Sequence, residues 1–220
     1  MSPVVLVAWP SASSAYWLHD DFGVASDIGL HQHTPTIVAP AGGYGDAPRR
    51  QAEFTVRAAG HVTGAGAVRV AAYTGGVTSG ADTLLEAVVE VPDPIVDATF
   101  FMFSRMSPAA TDWSDISNQG DIPEGYGVRF TPFTSQIQLA RFASTVHHIS
   151  LDAISPAIAA GGTYTIGFRI EGEQVQSLVN GNIIQTVNSE ATQFTSAGLV
   201  GFGFSSAGGM KLHEFRVTVL

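Results

Sequence analysis

The stretch 163–187, TYTIGFRIEGEQVQSLVNGNIIQTV, decides the fold. Tyr164, Ile166, Phe168 and Ile170 alternate with Thr163, Thr165 and Arg169, the period of a half-buried strand. EGEQ (171–174) turns the chain back, VQSLV runs to Asn180-Gly181, and NIIQTV returns. A two-residue type I′ hairpin needs positive φ at both central residues, and Asn-Gly tolerates that best. The stretch therefore reads as a three-stranded antiparallel meander.

Outward from it the same grammar recurs: short alternating runs bounded by Gly, Pro, Asn and Asp. AEFTVRA sets Phe54 and Val56 against Glu53, Thr55 and Arg57, and AVRVAAY sets Val68, Val70 and Ala72 against Arg69 and Ala71. TLLEAVVEV offers Leu85, Ala87, Val89 and Val91 to a core, with Glu86 and Glu90 facing out. ATFFMFSR is apolar on both faces, as a strand covered on two sides is. GYGVRF groups Tyr126, Val128 and Phe130; SQIQLARF groups Ile137 with Leu139; LHEFRVTVL groups Phe215, Val217 and Val219. Helical potential is confined to SPAIAAG (155–161), barely one turn long. A dozen or more strands without helices predict an all-β chain, an antiparallel two-sheet jelly-roll sandwich. The Pro- and Gly-rich piece 34–50 reads as a long surface connection. One domain over 19–220, preceded by an N-terminal arm over 1–18, is expected, with Trp9 and Trp17 as anchors of the arm.

Composition narrows the function. Of the 220 residues 13% are charged, and the formal net charge is −9, from 19 acidic and 10 basic side chains. Lys211 is the single lysine. Nucleic-acid backbones and anionic membranes both require clustered cations, so neither is expected as a partner. The chain has no cysteine, which removes disulfides and thiolate zinc sites. The apolar run Val4–Trp9 is too short for a secretory signal or a membrane span. A surface poor in charge fits an assembled protein, with a homo-oligomer expected.

Catalytic motifs are missing from the pattern. Glu86 and Glu90 share a strand face, but four residues of strand place them ~13 Å apart, and no G-x-S-x-G elbow occurs. AGGYG, TGGVTSG and SSAGGM lack a following Lys-Ser/Thr and helix, so they are turns and not phosphate loops. His31 and His33 fall on one side of an extended segment with no third ligand nearby, and His147 and His148 point to opposite faces; no metal site is expected from them. The chain is therefore read as a non-enzyme.

Five pieces in order carry a resemblance: HDDFGVASDIGLHQHTP (19–35), EGYGVRF (124–130), IQLARF (137–142), VNG (179–181) followed by AGLVGFGF (197–204), and HEFRVTV (213–219). Together they resemble the concanavalin A-like lectin/glucanase superfamily, in particular laminin-G-like domains of bacteriophage minor tail and virion-surface proteins. The resemblance implies a jelly roll on a virion, assembled in the host cytoplasm, touching other virion proteins and host-surface glycans. It also implies calcium as the ion a sandwich rim would accept, with Asp112, Asp115 and Asp121 as candidates. The E-x-D-x-x-E strand of the glucanase branch has no counterpart here. Glycan binding needs an aromatic plate for the sugar's apolar face and polar groups for its hydroxyls. TDWSDISNQGDIPEGY (111–126) has that composition, and the candidate sugar-binding residues are Trp113, Asp112, Asp115, Asn118 and Tyr126.

Overall fold

The computed structural model describes residues 17–38, 44, 54–64, 69–78, 82–106, 125–143, 146–188, 198–205 and 209–220. These form sixteen strands and two short 3-10 turns, with no α-helix among them. Two antiparallel sheets make the sandwich. One, of ten strands, runs β14 (Asn182–Val187), β13 (Gln174–Val179), β12 (Thr163–Glu171), β7 (Thr83–Glu90), β16 (Lys211–Val219), β5 (His61–Gly64), β4 (Phe54–Arg57), β2 (Ile28–Gly29). β1 (Leu18–Asp20) pairs with β16 and with β3 (Ile37–Val38). The other, of six, runs β11 (Val146–Ile154), β10 (Gln136–Ala143), β9 (Gly125–Thr131), β8 (Thr99–Met106), β15 (Gly198–Ser205), β6 (Arg69–Thr78).

The alternation read from the sequence sets which side chains meet between the sheets. Leu85, Ala87, Val89, Ile166, Phe168, Ile170, Phe215 and Val217 from the larger sheet face Phe100, Met102, Tyr126, Val128, Phe130, Phe202 and Phe204 from the smaller one, all in one core. The Asn180-Gly181 hairpin forms as expected, with φ of 50° and 79°. Asn180 also binds the neighbouring strand: its N–H donates to the Thr165 carbonyl at 2.8 Å, and its Oδ1 accepts from the Thr165 N–H at 2.9 Å.

Three expectations change. SPAIAAG forms no helix; Ala159 donates its N–H to the Tyr164 hydroxyl at 2.7 Å, and Gly161 turns the chain at φ 67°. The connection 34–50 is more than surface, since it contributes β3 and a buried Tyr44. The boundary at residue 18 falls inside the sandwich, because Leu18 is fully buried and pairs with Val217. Residues 1–16 of the arm lie outside the described residues.

Candidate functional site

Each sheet has an outer face, and the two differ in chemistry. On the larger sheet the centre of that face is a charged ladder. His19 Nε2 lies 2.7 Å from Glu214 Oε1, and Arg216 Nε lies 3.5 Å from Glu214 and 3.8 Å from Glu86. Lys211 donates to Glu90 at 2.6 Å, and His213 Nε2 is 2.9 Å from the other Glu90 oxygen. These contacts hold Glu90 below the usual carboxylate range, Lys211 first and His213 next. Glu86 goes the other way: burial raises it, with Arg216 opposing and the Glu214 charge adding to the rise.

Sequence spacing along one strand misses the Glu86–Glu214 neighbourhood. The two come from β7 and β16, and only the register Arg216↔Glu86 brings them together. Both carboxylates sit beside the same guanidinium, so this face reads as a cross-strand ion-pair network.

On the smaller sheet, the outward positions form three cross-strand rungs. The first joins Thr99, Thr131 and Gln136, with the two threonine hydroxyls 3.1 Å apart and Gln136 opposite Thr131. The second runs Gly203, Phe101, Arg129, Gln138, and Arg129 donates to Gln138 Oε1 at 3.3 Å. The third runs Gly201, Phe103, Gly127, Ala140. Successive rungs lie about 7 Å apart along a strand.

The glycines matter here because side chains at those positions would stand on either side of the rings. Phe101 and Phe103 pack side by side between them, ring centroids 6.4 Å apart. Phe103 is fully buried and Phe101 is 5% exposed, so neither ring is open to a ligand. Thr131, Arg129, Gln136 and Gln138 are half-buried alongside, and burial lowers the Arg129 guanidinium from its ordinary value. The accessible part of this face is a polar track of hydroxyl, amide and guanidinium groups, which can donate and accept hydrogen bonds in a plane.

The sequence-proposed site is only partly reached. Asp112, Trp113, Asp115 and Asn118, with Asp121, lie outside the described residues, in the segment that joins β8 to β9. Tyr126 is corrected as a sugar contact: it sits on the inner face of β9 and is fully buried in the core. Its alternation with Val128 and Phe130 already pointed inward.

The histidines separate. A 3-10 turn over Leu30–Gln32 leaves His31 exposed, while His33 is buried and its Nε2 lies 2.8 Å from Asp20 Oδ1. Asp20, itself fully buried, also accepts from the Phe22 N–H and the Tyr44 hydroxyl, both at 2.8 Å. That knot fastens the HDDF segment to the core. Among the described residues no group of three His, Asp or Glu side chains is placed to hold a metal ion.

An all-β, two-sheet antiparallel sandwich of this kind is a concanavalin A-like jelly roll. Solved structures share the architecture at low identity. The chain is similar to an endo-acting O-glycanase of the human gut microbiota (11% identity, 94% of this chain and 100% of that one, TM-score 0.59). It is likewise similar to the β-glucanase of Bacillus licheniformis (12%, 90% and 99%, TM-score 0.51). A third is a carbohydrate-binding module from Bacillus subtilis (11%, 71% and 86%, TM-score 0.51). No protein-family model matches the chain, and no curated protein matches it by sequence. At these identities the likeness is one of fold.

Proposed function

We propose that this chain is a non-catalytic carbohydrate-binding jelly roll whose saccharide contact is the polar track on the outer face of the six-stranded sheet. One observation carries the reading: Arg129 and Gln138 stand hydrogen-bonded and half-buried on that face, with the Thr99–Thr131 hydroxyls on the next rung. A pyranose carries a belt of hydroxyls, and this track offers them donors and acceptors. The carbohydrate-binding module and the glycanases with the same architecture support the reading. The absence of catalysis rests on the carboxylates: Glu86, Glu90 and Glu214 share an outer face, and a cationic or imidazole partner stands beside each. Trp113, with Asp112, Asp115 and Asn118, belongs to the same proposal as a second contact from the segment after β8.

The test is a glycan array with the wild type, Arg129→Ala and Gln138→Ala, read beside thermal melting. The expected result is selective wild-type binding, weakened about tenfold or more in Arg129→Ala, with melting little changed. An array with no binder, or variants that bind like the wild type, overturns it.

The virion setting is part of the proposal and rests on the sequence resemblance. A tagged chain made during phage infection is expected to co-sediment with particles; its complete recovery in the particle-free fraction removes that setting.

A further inference from the structure

The most exposed large apolar side chain among the described residues is Phe133, at 62%. It stands in the 3-10 turn Pro132–Thr134 that joins β9 to β10. The turn is closely held: Pro132 is buried, the Ser135 N–H donates to the Pro132 carbonyl at 2.9 Å, and the Thr134 hydroxyl donates to the Thr131 carbonyl at 3.4 Å. Ser135 adopts φ 50°, a conformation that L side chains rarely take. An aromatic ring on so fixed a base loses little freedom when it meets a ligand.

Its position ties it to the polar track. The half-buried Arg129 and Thr131 lie on β9, which ends at Thr131, where the turn carrying Phe133 begins. The rungs become more polar in that direction, from Phe103 and Ala140 through Phe101, Arg129 and Gln138 to Thr99, Thr131 and Gln136. Val96, 37% exposed, precedes Thr99 at the same end, and Ile154, 38% exposed, pairs with Ile137 there.

We infer that Phe133 is a stacking platform for a sugar unit beyond the end of the sheet, so that the polar track and the turn together take an oligosaccharide chain. This rests on the carbohydrate reading above and adds the length of the ligand. Other occupants fit less well. A stable protein partner needs about 800 Å² from each side, far more than three separate side chains supply. A chain of net charge −9 is repelled by an anionic bilayer. A pyranose needs one ring.

The experiment is calorimetric titration of soluble gluco-, manno- and galacto-oligosaccharides, each as a length series from the monosaccharide upward. It compares the wild type, Phe133→Ala, Phe133→Trp and Arg129→Ala. Phe133 is exposed, so the alanine variant is expected to melt with the wild type. The inference expects wild-type affinity to rise with ligand length. Phe133→Ala then loses about tenfold on the longer ligands, keeps its affinity for the shortest ligand bound, and is rescued by Phe133→Trp. If Arg129→Ala weakens binding while Phe133→Ala matches the wild type at every length, the platform is overturned and the polar track stands. If the wild type binds no member of any series or of the array, both fall together.

Discussion

Glu86 shows what a single residue's surroundings do to its chemistry. It is 8% exposed on an outer face, and burial raises its pKa above the ordinary 4.5, with Arg216 offsetting part of the rise and Glu214 adding to it. The folded chain therefore holds the Glu86 proton more tightly than the unfolded chain does. That favours folding below the unfolded pKa and is lost as pH rises through the folded value. Glu86→Gln keeps the shape and removes the titration. Its melting temperature relative to the wild type is expected to rise between about pH 4 and pH 7. A flat difference across that range, followed by scanning calorimetry, contradicts the assignment. Nothing in the run TLLEAVVEV announces this: the burial that raises Glu86, and the opposing Arg216 and adding Glu214 beside it, come from the strands packed around β7.

At the scale of elements, alternation was a sound guide wherever a strand kept regular pairing. Phe54 and Val56, Leu85 to Val89, Tyr126 to Phe130, and Tyr164 to Ile170 face the side their spacing implied. It failed where an extra residue entered. β16 shifts register between Leu212 and Glu214, so Leu212 is buried along with Phe215 and Val217, which strict alternation would not allow. β13 and β14 shift likewise at Ser177/Leu178, which leaves Ile184 packed on the core and Ile183 49% exposed. A bulge leaves no composition signal, because it depends on how the partner strand pairs. Val219, grouped with the core by its spacing, is 41% exposed because it ends the last strand. The setting of Phe101 and Phe103 has the same origin: only the register places Gly203 beside Phe101, and Gly201 and Gly127 beside Phe103.

For the molecule as a whole, the two sheets are joined by aromatic packing that converges on Phe202. Its ring lies 6.1 Å from Phe22, 5.7 Å from Tyr44, 5.8 Å from Phe54 and 5.2 Å from Phe215, centroid to centroid. Phe202 belongs to the smaller sheet, while Phe54 and Phe215 belong to the larger. Phe202→Ala is expected to cost about 3–5 kcal/mol. Both sheets should be lost in one denaturant transition of unchanged slope; two separate transitions would mean that the sheets are held together elsewhere. The sequence by itself determined the all-β class, the antiparallel meander over 163–187, its Asn-Gly hairpin and most inward-facing residues. Those follow from side-chain period and turn chemistry, which are local. The tertiary structure alone decided that Asp20 knots to His33 and Tyr44, that Glu86 meets Glu214, and that Arg129 and Thr131 lead to an exposed Phe133. Each of these depends on which strands become neighbours and in what register, and that choice is made by packing the entire sandwich.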